Sequence, residues 1–127
     1  KYGNCPKCET KISSKEISWL NDNNVPTECR QKSIPNTLYK VDGLVDNTIY
    51  EFYGDYWHGN PSLYAPDKLN KVANVTMKEL FEKTVLREQK LKSLGYKVVF
   101  IWESDYDKGL NQSVDHPRRK TNEQRKH

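Results

Sequence analysis

A predicted β-hairpin centred on Asp46-Asn47 limits the folds open to this chain more than any other segment. The dipeptide suits a two-residue turn, and the residues on either side of it are apolar and largely β-branched. With these two residues as the turn, the register of the hairpin is fixed. The expected cross-strand pairs are Val45 with Thr48, Leu44 with Ile49, Gly43 with Tyr50, Asp42 with Glu51, and Lys40 with Tyr53.

The pairing of Asp42 with Glu51 is the unusual feature of this hairpin. Directly opposed residues have Cβ atoms roughly 4.5–5.5 Å apart, so two ionised carboxylates at these positions repel each other. A divalent metal ion between them, with the Lys40 ammonium beside it, would remove the repulsion. The hairpin therefore predicts a metal site, whereas the alternative is that Asp42 only begins a turn at Gly43. Period-two alternation places one set of side chains on the same face as this site: Lys40, Asp42, Leu44, Ile49, Glu51 and Tyr53.

A short helix is predicted before the hairpin. Ser13-Ser-Lys-Glu16 has the pattern of a capping box, and the helix it begins should run to about Asp22. Glutamate is favoured at the third position of such a helix for purely local reasons. The spacing alone therefore favours a capping role for Glu16 over a catalytic one.

A long helix is predicted after the hairpin. Thr76-Met-Lys-Glu79 is a second capping box, and the helix should run to Leu94. Its apolar stripe is interrupted at Arg87 and Glu88, where core residues are expected.

Two further strands complete the predicted sheet. Residues 27–34 are expected to form an edge strand, and the apolar run 97–103 a strand buried on both faces. The order of helix, strands, long helix and buried strand predicts an α/β fold with a mixed sheet flanked by helices.

Composition limits the remaining classes of protein. The chain has 127 residues, enough for one domain with a modest core. A mean hydropathy of −0.97 leaves no transmembrane span and no secretory signal. The net charge of +4 is carried by residues 117–127, which contain five Lys or Arg and one Glu. We expect a folded domain over residues 13–106, followed by a basic flexible tail over residues 107–127. Because the chain begins at Lys1, we expect it to be a fragment of a longer protein.

Three cysteines are an odd number and do not indicate a disulfide framework. Cys5-Pro-Lys-Cys8 has the form of a zinc knuckle, so residues 1–12 are interpreted as a partial zinc-knuckle-like segment. Tetrahedral zinc needs four ligands, and Cys29 is the evident third. The others would lie upstream of Lys1 or come from a histidine. The alternative is that the cysteines are free cytosolic thiols.

The motifs in this order resemble a known nuclease superfamily. Asp42 followed by Glu51-Phe-Tyr53 resembles the D…ExK core of the PD-(D/E)XK nucleases. More specifically, residues 53–58 (YGDYWH) followed by residues 94–103 (LGYKVVFIWE) are similar to the very short patch repair (Vsr) endonucleases. The phage homing endonucleases of the related EDxHD group are closer still. The resemblance spans roughly residues 13 to 104 and implies a PD-(D/E)XK core.

The resemblance implies specific roles for five residues. Asp42 matches the metal-binding aspartate, and Glu51 matches the glutamate of the general superfamily. Phe52 would offer its backbone carbonyl to the same metal ion. His58 matches the active-site histidine, a candidate general base, because histidine titrates near neutral pH. Glu16 matches the helix glutamate of the resemblance, which makes a catalytic role as well supported as the capping role.

The chain also departs from the family pattern. Tyr53 stands where the superfamily has lysine and the Vsr enzymes have a second histidine, so Lys40 on the neighbouring strand is expected to supply the cation. The aspartate that supports the active-site histidine in the Vsr enzymes falls, without gaps, at Thr84. Arg87 or Glu88, one helical turn later, are alternatives for that supporting role.

Together, the residues and the resemblance predict a Mg²⁺-dependent DNA endonuclease, with Mn²⁺ as a substitute, of the kind carried by phages and mobile elements. The expected partner is DNA and not a membrane, with an additional upstream DNA-binding domain or a second copy of the chain. The expected location is the cytoplasm of a phage-infected or bacterial cell. The alternative is a non-catalytic, zinc-containing DNA-binding module of a larger protein.

Overall fold

Residues 13–118, the part of the chain that the computed structural model describes, form an α/β fold around one mixed sheet. The helices and strands, in chain order, are α1 (Ser14–Asp22), a 3₁₀-helix (Thr27–Cys29), β1 (Arg30–Ser33), β2 (Lys40–Val45), β3 (Thr48–Tyr53), β4 (Leu69–Asn70), β5 (Val75–Thr76), α2 (Met77–Ser93), β6 (Lys97–Trp102) and α3 (Glu103–Asp107). The main sheet has the order β1-β2-β3-β6, and β4 and β5 form a separate two-stranded sheet. The predicted fold class, a mixed sheet with flanking helices, is confirmed.

The central hairpin has the register that the turn residues predict. Val45 pairs with Thr48, and the pairing continues to Gly43 and Tyr50. Asp46 has a φ of 54°, in the left-handed region that aspartate tolerates in tight turns. Beyond Gly43 the regular β2–β3 pairing ends, and the candidate site residues Asp42 and Glu51 lie where it ends.

The apolar strand β6 lies parallel to β3 and is buried on both faces, as predicted. Its six residues pair with β3 from Thr48–Lys97 to Tyr53–Trp102. On one face Val99 and Ile101 pack with Trp19 of α1. On the other face Phe100 and Trp102 pack with Phe81 of α2. The helices therefore cover both faces of the sheet.

Helix α2 begins with the predicted capping box. Thr76 Oγ1 accepts a hydrogen bond from the Glu79 N–H, and the Glu79 carboxylate accepts one from the Thr76 N–H. Its buried residues are Met77, Thr84, Glu88 and Leu91. The interruption in the apolar stripe is therefore real, since a glutamate occupies a core position. Leu94, where the helix was predicted to end, is its C-cap and is half-exposed.

The predicted edge strand is shorter than expected. Residues 27–29 form a 3₁₀-helix, and only Arg30–Ser33 pair with β2. Gln31 in this strand has a φ of 53°. Its side chain donates a hydrogen bond to Glu16 Oε2, over 3.1 Å, so the irregular strand brings an amide to the helix glutamate.

The first part of the predicted tail contacts the domain, while the flexibility predicted for residues 107–127 stays a prediction. Residues 110–118, which we call the C-terminal strap, touch the sheet and α1 through a few residues, and Ser113 is buried. The Ser113 N–H donates to the Phe100 carbonyl at 2.8 Å. Trp19 Nε1 donates to the Asn111 carbonyl at 2.6 Å. These contacts come from single residues at irregular spacing, which leaves no periodic signal. Residues 119–127 lie outside the described part, as does the zinc-knuckle-like segment 1–12.

None of the helices within residues 13–118 is both long enough and apolar enough to cross a membrane.

Candidate active site

A cavity of about 360 Å³ opens where strands β2 and β3 stop pairing. Five of the predicted catalytic residues line it, and Arg87 is among the other residues that do so. The predicted residues that line the cavity are Glu16, Asp42, Glu51, Tyr53 and His58. Phe52, whose carbonyl the resemblance assigns to the metal ion, also lines it, whereas Lys40 does not.

The carboxylates of Asp42 and Glu51 take the place of the missing backbone pairing. The Asp42 N–H donates to Glu51 Oε2 at 3.1 Å. The Phe52 N–H donates to Asp42 Oδ2 at 2.8 Å. Each carboxylate is therefore held by a backbone N–H of the opposite strand, and both lie beside the cavity. The predicted proximity of these two acids is confirmed, although it comes from strands that separate and not from a continued ladder.

Glu16 reaches the same cavity from helix α1. Ser13 Oγ accepts a hydrogen bond from the Glu16 N–H at 3.0 Å, which is half of the predicted capping box. The Glu16 carboxylate instead accepts a hydrogen bond from Gln31 and lies near enough to Asp42 for the two charges to interact. The local capping role and a place in the cavity are thus compatible, because the backbone serves one and the side chain the other.

Burial makes these three acids hold protons more strongly than usual. It raises the pKa of Glu51 to about 8, the charge of Asp42 acts in the same direction, and that of Arg87 opposes it. Burial likewise raises the pKa of Glu16 to about 8, with Asp42 again adding to the effect. The pKa of Asp42 is also raised by burial, against the hydrogen bond from Phe52. The cluster therefore carries less negative charge near neutral pH than three free carboxylates would.

The cation at this cavity is Arg87. Its Nη1 lies 2.6 Å from Glu51 Oε1, and its Nη2 donates to the Lys40 carbonyl at 2.6 Å. Lys40 thus contributes its backbone and not its ammonium, and the side chain expected beside the two acids lies elsewhere. The signal that could have identified Arg87 was the break in the apolar stripe of α2, because a long cationic side chain on the sheet-facing side needs an acidic partner.

His58 is held in a single tautomer by helix α2. Its Nδ1 lies 3.0 Å from Thr84 Oγ1, and that hydroxyl donates to the Leu80 carbonyl at 2.9 Å. Because a hydroxyl has only one hydrogen, Thr84 must accept from His58, which places the imidazole proton on Nδ1. Burial lowers the pKa of His58 to about 4, and the charge of Arg87 acts in the same direction. His58 is therefore neutral near pH 7, with an unprotonated Nε2.

Tyr53 has a fixed hydroxyl and a ring in contact with His58. The hydroxyl donates to Glu88 Oε1 at 3.0 Å, and the ring centroids of Tyr53 and His58 lie 4.9 Å apart. Burial raises the pKa of Tyr53, so the phenol stays neutral. Glu88 is in turn paired with His116 and Lys92. Of the three residues considered as support for His58, Thr84 makes the contact and Glu88 supports Tyr53.

The donor set at the cavity suits a hard cation. Glu51 Oε1 is buried and has the Arg87 guanidinium 2.6 Å away as its cationic partner. Within residues 13–118, no group of three or more His, Cys, Asp or Glu side chains is arranged to hold a metal ion. Mg²⁺ does not require three, because it commonly binds through one or two carboxylates and keeps several waters. The Asp42–Glu51 pair therefore fits Mg²⁺, with Phe52 beside it.

Of the three cysteines in the zinc prediction, only Cys29 lies within the described residues. Cys5 and Cys8 are outside the described residues. Cys29 is a free cysteine that packs against the apolar cluster containing Trp19 and Leu20. Its surroundings are those of a small core residue.

Comparison of the chain with protein-family models, with curated proteins and with solved structures finds no match. Function is therefore inferred from the residues of this cavity.

Proposed function

We propose that this chain is a Mg²⁺-dependent DNA endonuclease domain with a PD-(D/E)XK-like core, which hydrolyses phosphodiester bonds at the cavity between β2 and β3. The observation that carries the proposal is the separation of β2 and β3 around Asp42 and Glu51, with neutral His58 lining the same cavity. Phosphodiester hydrolysis needs a positioned water, a proton acceptor and positive charge near the phosphate.

Asp42 and Glu51 would hold Mg²⁺, with the Phe52 carbonyl as a further oxygen ligand. When bound, such an ion neutralises charge on the phosphate and lowers the pKa of a coordinated water. The remaining steps belong to the side chains of the chain itself. His58 accepts the proton of the attacking water at Nε2, while Thr84 fixes the ring through Nδ1. Tyr53 cannot replace the superfamily lysine, because its hydroxyl is bound to Glu88, and its role is to pack against His58.

Glu16 and Glu103 also line the cavity, and of these two acids Glu103 is paired with Lys15. With a pKa of about 8, Glu16 is mostly protonated at neutral pH and partly ionised at the upper end of the physiological range. In its protonated form the carboxyl group can donate a hydrogen bond to a water or a phosphate oxygen while it accepts one from Gln31. We assign Glu16 to positioning of the attacking water or of the substrate.

Cleavage of supercoiled plasmid DNA tests the proposal. The wild-type protein is expected to nick or linearise the plasmid with Mg²⁺ or Mn²⁺ and to stop when EDTA is added. Asp42→Asn should abolish cleavage and leave the fold intact, because it removes a charge from a crowded acidic cluster. Asp67→Asn, at an exposed position outside the cavity, is the matched control and should cleave normally. A fully active Asp42→Asn protein would contradict the proposal.

The competing hypothesis is a non-catalytic DNA-binding module that uses zinc. It expects DNA binding without cleavage under any divalent cation, and tightly bound zinc in elemental analysis of the purified protein. The carboxylate cavity has no role in that hypothesis, so Asp42→Asn should then leave every measured property unchanged.

A further inference from the structure

Arg87 is held at the cavity by three partners that differ in kind. Its guanidinium contacts the Glu51 carboxylate and the Lys40 carbonyl, each at 2.6 Å. It also lies over the Tyr39 ring, 5.7 Å from the ring centroid. The Glu51 carboxylate is almost fully buried, and the Arg87 side chain is about a quarter exposed. The arginine therefore reaches inward from the rim of the cavity to a buried acid.

We propose that Arg87 is an internal counter-ion that occupies Glu51 until a divalent cation displaces it. The inference rests on the proposed metal-dependent function, since it concerns the same carboxylates. In the metal-free protein the guanidinium pairs with the ionised form of Glu51, and in the metal-bound protein it turns away from Glu51 and faces the DNA phosphate.

The contacts make this exchange a short movement. Two of the three partners, the Lys40 carbonyl and the Tyr39 ring, do not depend on Glu51 and remain to hold the arginine. The contact with Glu51 Oε1 is an ion pair at 2.6 Å, and breaking it loses mainly Coulomb attraction. A divalent cation replaces that attraction with a stronger one, because it carries twice the charge at coordination distance.

The same arrangement provides the cation that the sequence lacks at Tyr53. A buried carboxylate pair without any cation would carry a large desolvation cost. Arg87 offsets part of this cost for ionised Glu51 while the metal is absent. Once displaced, its guanidinium is well suited to a phosphate, because it presents a rigid fork of N–H donors. We therefore expect Arg87→Met to have opposite effects on metal binding and on catalysis.

Calorimetric titration with Mn²⁺, without DNA, tests the exchange directly. Arg87→Met should bind Mn²⁺ about tenfold or more tightly than the wild type, because a positive charge next to the site has been removed. The titration is best performed at about pH 8.5 without oxygen, where protons compete least for the carboxylates. Lys90→Met removes the same charge from an exposed position one turn further along α2 and should leave Mn²⁺ affinity within about twofold, by screening in solvent.

Single-turnover cleavage of plasmid DNA completes the test. Arg87→Met should cleave at least about tenfold more slowly than the wild type at saturating Mn²⁺, because the phosphate has lost a charged partner. A residue needed only for packing would weaken both metal binding and cleavage. Unchanged or weaker Mn²⁺ binding by a folded Arg87→Met protein would overturn the inference.

If Arg87→Met does not fold, the wild-type protein still decides the matter. The Arg87 Nε–H signal in a ¹⁵N NMR spectrum, assigned with Arg87→Lys, should move on titration with Mg²⁺. A signal that stays in place while Mg²⁺ saturates the site would show that the arginine is not displaced.

Failure of the proposed function is a separate result. A wild-type protein that binds Mn²⁺ in competition with Arg87 but never cleaves DNA would support the displacement of Arg87 and contradict the proposed nuclease activity.

Discussion

The side chains of Asp42 and His58 are held in place by hydrogen bonds to residues of other helices and strands. Asp42 is fixed by the backbone of β3, and His58 by a threonine on α2. The motif residues were evident from the sequence because acids and a histidine in this order match a nuclease pattern. Their partners were harder to predict, since Thr84 gains its role only from the hydrogen bond it donates to Leu80. Because the Thr84 hydroxyl already donates its hydrogen, it can only accept a hydrogen bond from His58 Nδ1, and this fixes the tautomer of the imidazole.

His58 is expected to be neutral, and so available as a general base, at any pH well above 4. Since its pKa lies near 4, protonation of this imidazole should not limit cleavage near neutral pH. His58→Ala should lower the single-turnover rate by roughly 10²–10⁴, the usual contribution of a positioned acid–base group. Mn²⁺ affinity measured in parallel should stay near that of the wild type. An unchanged rate would make His58 structural, and a lost metal would make it a ligand.

At the level of helices and strands, the sequence was most informative where a local pattern determines structure. The Asp46-Asn47 turn fixed the hairpin register, and the Thr76 capping box fixed the start of α2. The end of the β2–β3 pairing beyond Gly43 was not predictable, because it results from side chains that replace backbone partners. The C-terminal strap was missed for a similar reason. Its few contacts come from isolated residues such as Ser113 and His116, which have no periodic spacing.

Ser113 is expected to stabilise the strap and the end of β6 together. Its hydroxyl accepts from the Trp102 N–H at 2.9 Å and donates to Asp105 Oδ2 at 2.6 Å. Ser113→Ala leaves a buried backbone N–H without an acceptor, so the free energy of unfolding should fall by about 1–3 kcal/mol. Urea denaturation measures the loss. Ser14→Ala, at an exposed position in the first turn of α1, should change stability by less than about 0.5 kcal/mol; equal effects of the two substitutions would contradict this role.

For the whole molecule, the acid cluster should make the stability of the metal-free protein depend on pH. The raised pKa values mean that the folded state keeps protons on Glu16 and Glu51 up to about pH 8. The unfolded chain releases them near pH 4.5, the ordinary value for glutamate. The stabilisation that comes from these retained protons is therefore fully present below about pH 4.5 and is lost as the pH rises toward 8. His58 acts in the opposite direction only between its folded pKa of about 4 and its ordinary value of 6.5.

The window between pH 6.5 and 8 isolates the carboxyl groups. In EDTA, the free energy of unfolding should decrease with pH in this window, by up to about 1.4 kcal/mol per pH unit for each proton retained. Glu51→Gln should reduce the slope, because the amide does not titrate. Chemical denaturation at a series of pH values measures both slopes. A wild-type stability that is flat or rises between pH 6.5 and 8 would show that the cluster does not hold these protons.

The most direct test of the account is the position of a divalent cation in a crystal of this protein soaked in Mn²⁺. Anomalous scattering locates Mn²⁺ independently of any assay. The expected result is one strong anomalous peak between the carboxylates of Asp42 and Glu51, lost in crystals of Asp42→Asn. A saturating soak that gives no peak at these carboxylates, or a peak only at other residues, would contradict the metal site on which the proposed hydrolysis depends.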